Sequence, residues 1–150
     1  MGVIAAFQGT HSASDGPWIP SRLGDERTAR TSYPWRDLIR SGALLANGTD
    51  VPVEPIDAMA SLYATVSRRT SEGVLFLPEQ ALSREEALAS YTINNATAAF
   101  EEQVKGSVTP GKWADLVVLS QDFFTVPEAD IPDIQIDMTI VGGQVRYRRD

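Results

Sequence analysis

The 150-residue sequence has no cysteine. Disulfides, zinc–thiolate centres and cysteine nucleophiles are therefore excluded, and a reducing, cytoplasmic setting is the expectation. Histidine occurs once, at His11. With no Gly-x-Ser-x-Gly elbow anywhere in the chain, nothing supports a serine triad. One histidine and one aspartate also fall short of a catalytic metal centre, which takes about three protein ligands and an open position. A glycine-rich phosphate loop is missing, since Gly142-Gly143 stands between two β-rich runs and not before a helix. Basic charge is scarce: 13 Lys and Arg face 20 Asp and Glu, for a net charge of −7. A phosphate-binding footprint needs the opposite balance, so nucleic acid is not the expected partner. Arg146, Arg148 and Arg149 form the nearest basic cluster, explained by a solvated strand end. No apolar run has membrane-spanning length, and the chain contains neither a repeat nor a low-complexity tract.

What is present is ordinary for a globular α/β chain: 43% hydrophobic and 22% charged residues over a length that can hold one core. Residues 3–7 read as a strand that starts at once, with no basic leader ahead of it. An opening in mid-strand carries the expectation that part of the fold lies upstream. Residues 12–34, rich in Ser, Gly, Asp, Pro and Arg, have no clean period and read as a long binding loop or lid. Trp35, Leu38 and Ile39 suit a short helix ended at Gly42, and residues 43–46 are a second apolar strand that breaks at Asn47-Gly48. Strand, helix, strand in this order implies parallel pairing. Met59, Leu62, Tyr63 and Val66 fall at helical spacing and read as core. Ser83 with Glu86 is a capping box, and residues 94–100 start another short helix. After residue 105 the chain turns β-rich: residues 116–119, 134–141 and 144–147, with Gly142-Gly143 as a hairpin turn.

Asp50 is the first candidate functional residue. It follows an apolar strand at the C-terminal end, where parallel α/β folds keep their chemistry. Read locally, Thr49-Asp50 is equally a turn or cap before the next helix. His11 leaves the matching end of the first strand, so parallel neighbours would open both side chains onto one rim. Such a pair suits either a metal ligand with a substrate contact or an acid and base.

Several stretches together resemble the metal-dependent amidohydrolases, in the YtcJ-like branch known as amidohydrolase family 3. They are Phe7-Gln8-Gly9-Thr10-His11 with Ser14-Asp15, Leu23-Gly24-Asp25-Glu26-Arg27, Gly48-Thr49-Asp50-Val51-Pro52-Val53, Leu82-Ser83-Arg84-Glu85-Glu86-Ala87-Leu88 with Tyr91-Thr92, Gly106 to Leu119, and Thr139 to Val145. Two departures are mild: Gly9 stands where the family pattern has proline, and Thr49 where it has serine.

The resemblance implies the C-terminal part of a (β/α)8 barrel, its last two strands and helices in residues 1–104. Residues 105–150 would then be the C-terminal strands of a small composite β-sandwich. It further implies hydrolysis of C–N bonds in a small amide-like substrate by a metal-activated water. In that scheme Asp50 touches a divalent metal, zinc by preference, and acts as general base. His11 would contact the substrate, and Arg27, with Arg22, would bind an anionic group of it; the ordinary reading of both arginines is a solvated helix-end charge. The histidine ligands of the family are absent, so the chain is expected to bind no metal alone and to be inactive alone. The missing barrel would come from upstream polypeptide or from a second copy in a homo-oligomer. The competing expectation is a catalytically dead remnant serving as an interaction or regulatory module.

Overall fold

The computed structural model describes residues 2–150. Its first half is built on two parallel strands, β1 (Ile4–Gln8) and β2 (Leu44–Gly48), paired in register from Ile4 opposite Leu44 to Gln8 opposite Gly48. Parallel pairing needs a crossover. It is made by four short helices: α1 (Gly9–Asp15), α2 (Ile19–Leu23), α3 (Asp25–Thr31) and α4 (Trp35–Arg40). The segment expected to be a long loop is therefore largely helical. Helices of five to seven residues are too short to register a 3.6-residue period, and the Ser- and Gly-rich composition hid them. Within this segment Ile19 and Trp35 are buried, while Trp18 and Leu23 stay exposed. The second strand also differs from expectation, for it does not break at Asn47 but continues through Gly48 with Asn47 inside.

Three helices follow: α5 (Ala58–Ser67), α6 (Arg84–Tyr91) and α7 (Ile93–Ala98). Asp57 caps α5 by accepting from the Ala60 amide. Leu62 is buried as the periodicity required, with Met59, Tyr63 and Val66 packed alongside. The Ser83–Glu86 capping box forms in both directions. Arg36 then grips the same glutamate through two parallel bonds of 2.7 Å, tying α4 to the start of α6. Asn94 and Asn95 donate their side-chain amides to the carbonyls of Leu45 and Asn47, so α7 is fastened along β2.

The last third is a three-stranded antiparallel sheet of β3 (Leu116–Leu119), β4 (Ile136–Val141) and β5 (Gln144–Arg148), with the hairpin turning at Gly142-Gly143. The fourth strand begins at Ile136, not at 134, because residues 128–133 wind into a 3-10 turn that contains Pro132. This connection packs inward. Phe123, Val126, Ile131 and Ile134 share one core with Phe7, Trp35, Leu45, Leu62 and Leu82. Arg84 reinforces the join by donating to the carbonyls of Phe123 and Val126.

Arg68 occupies the centre of the aromatic layer. Its guanidinium lies 4.4 Å from the Trp35 ring and 5.5 Å from that of Phe76, and only 1% of the residue is exposed. Burial lowers its pKa to about 10. Tyr33, also in this layer, donates to Asp15 at the end of α1. Burial and that carboxylate push its phenol above the ordinary range.

Candidate active site

The C-terminal ends of the two parallel strands carry the candidate residues. His11 sits in the first turn of α1, immediately after β1, and Asp50 lies two residues beyond β2. Their side chains meet: His11 Nε2 is 3.8 Å from Asp50 Oδ2. That separation exceeds a hydrogen bond and leaves both groups free for another partner. The imidazole is mostly buried and the carboxylate half-exposed. His11 Nε2 itself is sealed from solvent without a hydrogen-bond partner.

Asp50 is held in the left-handed region at φ 59°. Aspartate tolerates this conformation better than most residues, yet it still costs free energy, and such residues gather at functional sites. The Val53 amide donates to the Asp50 carbonyl at 2.8 Å and closes the turn. The peptide bond between Val51 and Pro52 within it is cis. Beyond the turn, Glu54 accepts a 2.6 Å hydrogen bond from Ser14, joining this loop to α1.

Two residues that sequence reasoning missed shape the site. Asn47 is 3% exposed and accepts the Gly9 amide on its Oδ1 at 2.9 Å. Gly9 allows α1 to press on α5, since a Cβ there would meet Ser61 Oγ at 2.6 Å. The one available signal was an amide side chain ending an apolar strand. Arg27, by contrast, is exposed on α3 beside an open groove of about 530 Å³ lined also by Leu23, Glu26 and Arg30. Arg22 is exposed on α2. Among the described residues no hydrogen bond or ion pair joins either arginine to His11 or Asp50. The structure thus brings together two of the three expected site residues.

Among the described residues no group of three or more His, Cys, Asp or Glu side chains could hold a metal ion. His11 and Asp50 supply two donors, which is too few for a complete centre from this chain alone.

A family model described as the amidohydrolase family matches residues 1–147. The chain belongs to the amidohydrolase family. Among its amidohydrolase relatives, the Bacillus subtilis (strain 168) protein YtcJ is 34% identical over 152 residues, which is 99% of this chain and 28% of that protein. The N-substituted formamide deformylase of Arthrobacter pascens is 29% identical over 126 residues, 84% of this chain and 23% of that enzyme. A crystal structure of a metal-dependent hydrolase from Pyrococcus horikoshii OT3 superposes with a TM-score of 0.72 at 31% identity, covering 85% of this chain and 26% of that one. The chain spans about a quarter of the length of these relatives. Among its described residues no helix is long and apolar enough to cross a membrane.

Proposed function

We propose that this chain is the C-terminal barrel portion of a metal-dependent amidohydrolase that cleaves C–N bonds in small amide-like substrates. Residues 1–104 form the last two strands and helices of the barrel, and residues 105–150 contribute strands to a neighbouring sheet domain. The observation that carries this reading is the His11–Asp50 pair at the C-terminal ends of two parallel strands, where (β/α)8 enzymes assemble their active sites. Asp50 is the general base: half-exposed and, among the described residues, without a hydrogen-bond donor in contact, its carboxylate is free to take a proton from an attacking water. His11 contacts the substrate from the facing helix.

A divalent metal, zinc by preference, would supply Lewis acidity and lower the pKa of the attacking water. This chain offers it Asp50, with His11 nearby, and the remaining ligands come from the other part of the barrel. That part is upstream polypeptide or a second copy of the chain. The shortage of metal donors among the described residues favours a second reading for the chain on its own, an inactive scaffold module.

Complementation separates the two readings. The chain, purified alone and then mixed with a YtcJ polypeptide lacking its matching C-terminal quarter, is assayed for hydrolysis of N-substituted formamides with added zinc. The expected result is turnover only in the mixture and only with Asp50 intact. Equal turnover with Asp50→Asn removes the catalytic assignment, and turnover by the chain alone removes the claim that it is incomplete.

A further inference from the structure

We propose that Asn47 is a positioning residue that sets the spacing of His11 and Asp50 by capping α1 from the neighbouring strand. The inference rests on the reading that these two side chains are the reacting pair. The first amides of a helix have no intrahelical acceptor, and a side chain at the N-cap usually supplies one. Here the N-cap residue, Gln8, makes no such bond. The acceptor arrives instead from a residue 38 positions away, Asn47 on β2, which takes the Gly9 amide at 2.9 Å in a buried setting.

The geometry closes a ring. Gly9 lies two residues before His11 and Asn47 three residues before Asp50, so one cross-strand bond ties the backbones that carry the pair. The ladder of β1 with β2 ends at Gln8 opposite Gly48, so no further ladder bond follows toward the site. The Asn47 backbone is itself tied, because its carbonyl accepts the Asn95 amide at 2.8 Å; its side chain is buried, with Nδ2 unpartnered among the described residues. A residue at position 9 without an N–H would forfeit the bond, and one with a Cβ would collide with Ser61. The Gly9 amide thus meets Asn47, while the missing Cβ lets α1 sit against Ser61.

The test compares Asn47→Leu, which fills similar volume without an acceptor, with Asn47→Asp, which keeps one. In the full 150-residue chain, hydrogen exchange at the Gly9 amide should quicken about tenfold or more in Asn47→Leu and stay protected in Asn47→Asp. The nuclear Overhauser contact between the His11 ring and the Asp50 β-protons should weaken in the leucine variant only. In the complementation assay, kcat should fall about 100-fold for Asn47→Leu with KM within twofold, as expected for a misplaced pair. Unchanged Gly9 exchange and an intact His11–Asp50 contact in Asn47→Leu overturn the proposal. If that variant does not fold, loss of Gly9 protection in a folded Asn47→Asp with its His11–Asp50 contact intact overturns it equally. Exchange and contact are read without turnover, so a wild-type mixture that hydrolyses nothing counts against the proposed function and leaves the positioning claim to be decided by those two measurements.

Discussion

Replacing Asp50 by glycine should leave the stability of the fold within about 1.5 kcal/mol of its original value while sharply lowering turnover. The residue sits at φ 59°, where a side chain is strained and glycine is not. Its carboxylate is half-exposed and the His11 imidazole is 3.8 Å away, so the interaction lost on truncation is worth less than about 1 kcal/mol. The cleanest comparison is Asp50→Gly against Asp50→Ala, since both delete the carboxylate and differ mainly in tolerance of the left-handed backbone. That difference is about 1–2 kcal/mol in favour of glycine, reduced by about 0.5–1 kcal/mol for glycine's freer unfolded chain. Glycine should therefore unfold later than alanine by a net of about 0–1.5 kcal/mol, or by up to about 6 °C for a domain of this size. Urea and thermal denaturation followed by circular dichroism measure it. Turnover in the complemented enzyme should fall about 100- to 10,000-fold in both, the usual contribution of a general base. An alanine variant more stable than the glycine variant would refute the strain argument, and a glycine variant with undiminished turnover would refute the base.

Three further outcomes test the scaffold. Glu86→Ala removes both the Arg36 fork and half of the capping box and should cost about 2–4 kcal/mol in urea denaturation, whereas Glu85→Ala, on the same turn, should cost far less. Arg36 and the Ser83 amide hold the Glu86 carboxyl below the ordinary carboxylate range, so its contribution is present above about pH 4 and lost as pH falls through the lower folded value. The acid limb of a stability–pH curve should accordingly flatten in Glu86→Gln. Gly9→Ala places a Cβ at 2.6 Å from Ser61 Oγ and 2.7 Å from the Ser61 carbonyl; chemical denaturation should show a loss of about 1–3 kcal/mol, partly recovered by Ser61→Gly only if the carbonyl can retreat.

The elements legible in the sequence were those whose signal is local and complete. Met59, Leu62, Tyr63 and Val66 span two turns of one helix; Ser83 and Glu86 mark a helix start by their own chemistry; Gly142-Gly143 turns a hairpin whose strands lie on either side of it. The helices between residues 9 and 31 escaped because none exceeds seven residues, and their order comes from contacts elsewhere. Ser61 and Thr65 crowd Gly9, Tyr33 reaches Asp15, and Glu54 meets Ser14. The site divided in the same way. Asp50 and His11 could be named from their places at strand ends, and they lie 3.8 Å apart. Asn47 could not, because its role depends on a hydrogen bond across 38 residues. Arg68 is a similar case: nothing in Ser67-Arg68-Arg69 says that the first arginine is stacked on Trp35 and the second is exposed.

The forces that hold the core and those that hold the site are separable. The core joins β1, β2 and α5 to residues 123–134 through apolar contact, with Arg84 clamping the connection by its backbone carbonyls. Asp50 is not a member of that core. The site instead depends on polar links of single-bond strength: Asn47 to Gly9, Glu54 to Ser14, Val53 to Asp50. Each is worth about 1 kcal/mol against a global stability of about 5–15 kcal/mol, so the rim can loosen while the core stays folded. The imposed φ of Asp50 pulls in the same direction, since strain at the rim is relieved by local opening and not by unfolding. Hydrogen exchange should therefore find the residues 50–54 turn opening at far lower free energy than β2, and the order of those two protection factors is what this division of labour requires.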